Sequence, residues 1–221
     1  MGERSHHMIL KRSGSGAKDV RKLNRARVVV LGHPGCGKTA LCVRFLTRRY
    51  IGEYQPNTES TYTTDTVVDG ETIHLEILDT ARKHQNEKAS LEASIKWGDG
   101  FIIMYSVTDR ESFSAVKRIK RLIDAAKETL GIPVIIVANK RDLDRSRTVR
   151  CAEGQELAGE LSCPFFEISV ADGYDSVASV FSRLIREVKC EFLKHLEAME
   201  KRSKILNMRN VLFRRRRSKT Q

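Results

Sequence analysis

The segment GHPGCGKT, Gly32 to Thr39, carries the residue types that hold phosphate groups. It fits the pattern G-x-x-x-x-G-K-[ST] and follows the apolar run Val28 to Leu31, as a loop between a strand and a helix does. In such a loop, successive backbone N–H groups point at phosphate oxygens where the helix dipole favours anions. Lys38 is expected to reach the β- and γ-phosphates and the Thr39 hydroxyl to bind Mg²⁺. The segment predicts a nucleoside triphosphate site, against the alternative of a chance glycine-rich turn.

A second motif addresses the base of the nucleotide. Asn139, Lys140, Arg141 and Asp142 follow the apolar stretch Val134 to Val137, in the arrangement N-K-x-D. A carboxylate at the end of a strand can accept hydrogen bonds from the N1–H and exocyclic amine of guanine, whereas adenine has no matching pair of donors. Ligands of α/β folds bind at strand ends. The motif therefore favours guanine, although four letters alone also fit a solvated loop.

The elements that must position these motifs alternate along the chain. Asp69-Gly70 is a hairpin signal, and helix-sized crossovers separate the other strands, so we predict a doubly wound α/β fold with a mostly parallel, six-stranded sheet covered by helices on both faces. The patterns predict strands at 27–31, 62–68, 72–78, 101–106, 133–138 and 164–168, and helices near 38–48, 112–130, 152–161 and from 175 onward.

Charge divides the 221-residue chain into three parts, with a net +12 overall. Residues 1–27 carry +6, residues 194–221 carry +8, and the segment between them carries −2. We expect a flexible basic segment at 1–24, a nucleotide-binding domain with an extended final helix at 25–200, and a basic tail at 201–221. A nucleic-acid role is restricted to the two ends.

Cysteine usage and hydropathy exclude other classes. The five cysteines are odd in number and contain no C-x-x-C pair, which argues against a disulfide framework or a zinc site and indicates a reducing compartment. No run approaches the roughly 18 apolar residues of a membrane span. No secretory signal is recognisable at the N-terminus.

Together these motifs resemble those of the Ras-superfamily small GTPases over roughly residues 25–192. EYQPNTESTY (53–62) resembles the first switch, LDTA (78–81) the start of the second, and FFEIS (165–169) the stretch before the base-contacting turn. STY and DLDRSR resemble the non-prenylated branch that contains the Ras-related oestrogen-regulated growth inhibitor. The resemblance implies a P-loop NTPase fold of the Ras-like type and a GTP/GDP switch in signalling.

The resemblance also implies a set of site residues. Asp79 would hold Mg²⁺ through a water, with Thr39 and either Thr58 or the preceding Asn57 as further ligands. Tyr50 would lie against the base, although a tyrosine there also fits a core position. No catalytic side chain is assigned. The nucleotide-binding residues are Gly32, Pro34, Gly35, Cys36, Gly37, Lys38, Thr39, Ala40, Tyr50, Asn139, Lys140, Asp142, Ser169 and Val170, the last through its N–H to the guanine carbonyl.

Several positions depart from the family pattern and bear on hydrolysis. Arg82 and Lys83 stand where the family has Gly and the Gln that orients the attacking water, and Pro34 removes a loop N–H near the γ-phosphate. We expect slow GTP hydrolysis, or a water placed by His84 or Gln85. The alternatives are a nucleotide-binding module without meaningful hydrolysis and, more remotely, a P-loop ATPase or nucleic-acid protein.

The C-terminus bears on partners and location. No C-a-a-X cysteine is present, so we expect no prenyl anchor, while Arg214 to Arg217 suit weak anionic-membrane contact or nuclear import. We expect a monomer in the cytoplasm or nucleus that meets effectors and regulators through segments 53–62 and 79–96.

Overall fold

A computed structural model gives the structure of the chain and describes residues 22–51, 59–80, 87–127 and 131–217, with side chains described in these ranges except at 87–88 and 203–217. Within these ranges the strands are β1 (Arg25–Gly32), β2 (Ser60–Val68), β3 (Glu71–Asp79), β4 (Gly100–Ser106), β5 (Val134–Asn139) and β6 (Phe165–Glu167). The α-helices are α1 (Lys38–Thr47), α2 (Glu87–Trp97), α3 (Arg110–Lys127), α4 (Cys151–Glu160) and α5 (Tyr174–Arg217), with a 3₁₀ turn at Asp144–Ser146.

The strands form one six-stranded sheet in the order β2-β3-β1-β4-β5-β6. The β2–β3 pair is antiparallel and the other pairs are parallel, which confirms the predicted architecture. Asp69 and Gly70 join β2 to β3 with φ of 52° and 77°, the left-handed conformations of the tight hairpin that the sequence predicted.

The core lies on both faces of the sheet. Every residue of β4 and β5 is buried, as expected for central parallel strands whose two faces are covered by helices. On one face, α1 and α5 pack on the sheet, and the rings of Phe45 and Phe181 stack with centroids 3.9 Å apart. On the other face the helices are α2, α3 and α4. The sheet is therefore a rigid platform for the loops at its carboxyl edge, where α/β folds bind ligands.

Two helices differ from the sequence patterns. The structure adds α2, which the patterns did not delimit, because Leu91, Ile95 and Trp97 are its few inward apolar residues. Helix α5 continues through the basic stretch to Arg217, although its apolar periodicity weakens near Lys201. None of the helices in the described ranges is long and apolar enough to cross a membrane.

Candidate functional site

The loop between β1 and α1 is shaped by close approaches that two of its glycines allow. A Cβ at Gly32 would collide with the carbonyl oxygen of Met104, at the neighbouring strand β4. A Cβ at Gly37 would collide with the amide nitrogen of Asn139, and Gly37 has φ of 100° immediately before α1. Only glycine tolerates these close approaches and, at position 37, the positive φ. The loop is therefore held against the ends of β4 and β5.

Lys38 turns back over this loop. Its Nζ donates hydrogen bonds to the carbonyl oxygens of Gly32 (3.1 Å) and His33 (3.4 Å). Pro34, Gly35 and Cys36 complete the loop, and Ala40 lies in the first turn of α1. The Lys38 ammonium group therefore lies against the carbonyl oxygens of the first two residues of the loop.

Thr39 and Asp79 form the second part of the site. The Thr39 hydroxyl donates to Asp79 Oδ2 at 2.6 Å, although 40 residues separate them. Asp79 is 1% exposed, and its Oδ1 is buried without a hydrogen-bond partner. Burial raises the pKa of the Asp79 carboxyl, while the Thr39 hydrogen bond and the Lys38 charge lower it. A buried, half-satisfied carboxylate beside a hydroxyl is a suitable ligand for a cation, because an uncompensated buried charge is costly.

This donor set fits Mg²⁺. Magnesium is usually held by one or two protein groups together with substrate phosphates rather than by an all-protein cage. The described residues contain no cluster of three or more His, Cys, Asp or Glu that could hold a metal. Thr58 and Asn57, the other predicted ligands, lie outside the described residues.

On the base side, Asn139 links two loops. Its side-chain amide donates to the Cys36 carbonyl at 2.9 Å, and its Oδ1 accepts the N–H of Val170 at 3.1 Å. The N–H that the sequence analysis assigned to the guanine carbonyl is thus engaged by Asn139. Asn139 is 3% exposed, so it acts from within the protein as a brace between the phosphate loop and the turn after β6.

The remaining base-side residues surround this brace. Lys140 has φ of 68°, the neighbouring Arg141 N–H donates to the Ile168 carbonyl at 3.2 Å, and Asp142 is exposed. Ser169 is buried, and its hydroxyl accepts the N–H of Asp172 at 3.2 Å. The hydrogen bond between Arg141 and Ile168 therefore ties the loops after β5 and β6 together, and the adjacent Asp142 is exposed.

Tyr50 follows α1 and is 49% exposed, so it is not a core residue. Nearby, the Arg48 guanidinium lies 5.1 Å from the ring centre of Tyr174, at the start of α5. This pair was not predictable from the sequence, because no local pattern connects positions so far apart. The contacts of His33 were not predicted either, although a histidine inside a glycine-rich loop is a local signal for them.

The fold and the site together define a P-loop nucleotide-binding protein, with a phosphate loop after β1, a buried carboxylate after β3 and base-side loops after β5 and β6. The Ras family model matches residues 27–190. The chain is 42% identical over 168 residues to the human (Homo sapiens) Ras-related and estrogen-regulated growth inhibitor, covering 76% of this chain and 83% of the relative. It is 39% identical over 195 residues to GTP-binding protein Rit1 of Mus musculus, covering 88% of each, and 39% identical over 185 residues to mouse Ras-like protein family member 12, covering 83% and 68%.

The chain belongs to the Ras family of small GTPases. It is a Ras-like GTP-binding signalling protein. Ras-family GTPases bind GTP and GDP, generally with Mg²⁺, and interact with effector and regulatory proteins.

Proposed function

We propose that this chain binds GTP and GDP with Mg²⁺ and acts as a switch that hydrolyses GTP slowly. The observation that carries the proposal is the pair Thr39 and Asp79, with Oγ1 and Oδ2 2.6 Å apart and Asp79 Oδ1 buried without a partner. Bound Mg²⁺ would neutralise charge on the β- and γ-phosphates. Thr39 and Asp79 would hold it from the protein side, with Thr58 or Asn57 as a further ligand.

The phosphates are held by the loop and by Lys38. The main-chain groups of the loop and the first turn of α1, from Gly32 to Ala40, surround the phosphates, and the lysine supplies the positive charge. Asp142 accepts the guanine N–H donors, and Tyr50 covers the face of the base. Asn139 positions the loop through its amide, and Lys140, Ser169 and Val170 shape the turns around the base.

Slow hydrolysis follows from the second switch. Arg82 and Lys83 occupy the positions where the family pattern has Gly and Gln, and a charged lysine cannot accept a proton from the attacking water. Pro34 supplies no N–H to the γ-phosphate side of the loop. His84 or Gln85 would then place the water; residues 82–85 lie outside the described residues.

The same substitutions favour a second candidate, a nucleotide-dependent binding module that does not hydrolyse GTP. In that case the chain changes state by nucleotide exchange alone, and its output is the binding of a partner by the segments 53–62 and 79–96. These two candidates share the nucleotide site and differ in the release of phosphate.

Single-turnover hydrolysis of γ-labelled GTP separates the two candidates. We expect slow phosphate release from the wild-type chain and faster release from Lys83→Gln, which restores the side chain that orients water. Lys96→Gln, at the exposed end of α2, is the matched control and is expected to leave the rate unchanged. Undetectable release from the wild-type chain with GTP still bound would exclude the switch that hydrolyses GTP and favour the binding module.

For location and assembly, we propose a monomer of the cytoplasm or nucleus. The support is the sequence, which has four consecutive arginines at 214–217. These arginines supply salt-sensitive contact with anionic lipid or an import signal. Microscopy of the tagged full-length chain tests this proposal, and a uniform plasma-membrane signal would contradict it.

A further inference from the structure

His33 lies in the phosphate loop and reaches out of it towards α3. Its Nδ1 is 3.6 Å from Asp109 Oδ2, and its Nε2 is 3.6 Å from Glu111 Oε1. The His33 side chain is 20% exposed, so the ring is largely enclosed between the loop and the start of α3. None of these three side chains is part of the nucleotide site proposed above. The ring therefore connects the loop to an element that the known motifs do not include.

The ring nitrogens of His33 both face oxygen atoms that only accept hydrogen bonds. Besides Asp109, Nδ1 lies 3.2 Å from the carbonyl oxygen of Pro34, while Nε2 faces the Glu111 carboxylate. A neutral imidazole has one N–H donor and one unprotonated nitrogen, whereas the imidazolium has two donors. Only the charged ring can donate hydrogen bonds on both sides.

The two carboxylates differ in how firmly they are held. Asp109 Oδ1 accepts the backbone N–H groups of Glu111 (3.0 Å) and Ser112 (3.3 Å) and so caps the N-terminus of α3. The Ser112 hydroxyl in turn accepts the N–H of Ser106, at the end of β4, at 3.0 Å. Glu111 is 82% exposed. Asp109 is therefore held in place beside the ring, whereas Glu111 is exposed.

On the other side of the residue, the backbone of His33 belongs to the cradle of Lys38. The His33 carbonyl accepts a hydrogen bond from Lys38 Nζ at 3.4 Å. Among the described residues, the charged groups next to His33 are therefore Asp109 and Glu111 beside the ring and Lys38 beside the backbone carbonyl. A movement of the ring away from α3 would displace the backbone that holds the lysine.

We propose that His33 is a positioning residue whose charged form holds the phosphate loop against the start of α3 and thereby slows nucleotide release. The inference rests on the proposed function, nucleotide binding by this loop. A site of main-chain donors binds best when its backbone is held in place before the ligand arrives. Partly exposed ion pairs contribute little individually, so the expected effect on the release rate is about two- to fivefold.

Release of a fluorescent GDP from the full-length chain tests the proposal. The rate is measured in magnesium buffer with excess unlabelled GDP from pH 5.5 to 8.5, the range in which histidine ordinarily changes charge. We expect the wild-type chain to release GDP more slowly at the acidic end. His33→Gln should remove that pH dependence and release GDP about two- to fivefold faster at pH 5.5, whereas His33→Arg, with a permanent charge, should release it slowly at every pH.

Two further variants sharpen the test. Glu111→Gln leaves the Asp109 cap intact and should remove part of the pH dependence of GDP release. Because the Glu111 side chain is 82% exposed, we expect this variant to fold even if a His33 variant does not. His74→Gln is the matched control, since His74 also pairs with a carboxylate, Asp65, at 2.8 Å, but on the exposed β2–β3 hairpin. It should behave as wild type.

The outcomes distinguish this inference from the proposed function. GDP that binds and leaves at the same rate in His33→Gln and Glu111→Gln as in wild type, at every pH, would overturn the role of His33 and leave the nucleotide site in place. An equal effect of His74→Gln would also overturn it. A wild-type chain that binds no guanine nucleotide would overturn the proposed function and this inference with it.

Discussion

At the scale of single residues, we propose that Asp142 determines which base the site accepts. Its carboxylate is exposed, so Asp142→Asn changes hydrogen-bonding character without removing a buried group. Hydrogen bonds to charged groups contribute about 1.5–3 kcal/mol, and we expect roughly 10- to 100-fold weaker GDP binding, together with a gain for xanthine nucleotide. Competition between GDP and XDP for the bound site measures this. Asp144→Asn, at an exposed carboxylate two positions on, should leave the preference unchanged; an unchanged preference in Asp142→Asn would contradict the assignment.

At Asp79 we expect opposite effects on two properties: the buried carboxylate favours metal binding but lowers the stability of the metal-free chain. Because burial raises the pKa of this carboxyl, its contribution to the stability of the metal-free chain is present at low pH and is lost as the pH rises through the raised value. Asp79→Asn removes the buried charge and keeps an acceptor for Thr39. We expect it to stabilise the nucleotide-free chain in EDTA at neutral pH, by about 1–3 kcal/mol, and to abolish further stabilisation by Mg²⁺ with GDP.

Thermal unfolding of the two proteins, with and without Mg²⁺ and GDP, checks this expectation. The control is Asp65→Asn, at a carboxylate that is 68% exposed and far along the hairpin; it should retain the wild-type response to the metal. A lower melting temperature of Asp79→Asn in EDTA would show that the carboxylate does not destabilise the metal-free chain. A normal gain in melting temperature on adding Mg²⁺ with GDP would show that the carboxylate is not a metal ligand.

At the scale of elements, the site depends on Asn139 bracing two loops at the end of β5. Asn139→Ala leaves the Cys36 carbonyl and the Val170 N–H without their partner, and unsatisfied buried groups cost about 1–3 kcal/mol each. We expect a loss of about 2–6 kcal/mol in the free energy of unfolding, together with weaker GDP binding. Denaturant unfolding and nucleotide titration measure the two effects.

The two halves of this brace can be separated. Asn139→Asp keeps an acceptor for the Val170 N–H but places a carboxylate oxygen against the Cys36 carbonyl. It should therefore disturb the phosphate loop more than the base turn. Asn24→Ala, at an exposed residue before β1, should change neither property. Full nucleotide affinity in Asn139→Ala would mean that the loops hold their positions independently.

The helices and strands show which features of the fold local sequence patterns can predict. The strands and the Asp69-Gly70 turn were predictable, because apolar runs and turn residues are local signals. Helix α5 continues to Arg217 because strong helix formers follow one another and no glycine or proline occurs after Gly173; apolar periodicity alone did not reveal this. The contact of Asn139 with Cys36 spans 103 residues, and the contact of His33 with α3 also depends on the assembled sheet, so neither was predictable from the motifs.

At the scale of the whole molecule, charge and nucleotide chemistry occupy different parts of the chain. The segment between residues 27 and 194 has a net charge of −2, while residues 194–221 carry +8. Among the described side chains, Phe192 is the last buried residue of α5, Leu196 is partly buried against the core, and Leu193 and Met199 are exposed. We therefore expect removal of the basic end of α5 to leave the nucleotide site undisturbed.

This separation predicts that the tail and the switch can be altered independently. Replacing Arg214 to Arg217 with glutamine should leave GDP binding unchanged and weaken binding to anionic vesicles, because each basic residue near such a surface contributes about 1 kcal/mol. Over four residues the loss is roughly a hundred- to a thousandfold. Co-sedimentation with phosphatidylcholine vesicles, with and without phosphatidylserine, measures it at low and high salt.

The matched control places the same change of charge at the other end of the chain. Glutamine at Lys11, Arg12, Lys18 and Arg21 also removes four positive charges, but leaves the four consecutive arginines intact. If the arginine cluster is the lipid contact, only the C-terminal variant loses binding, and salt releases the wild-type chain because exposed charges are screened. Equal losses in both variants would assign the binding to net charge alone. No binding of the wild-type chain at low salt would exclude anionic lipid as a partner of the tail and leave the import signal as its role.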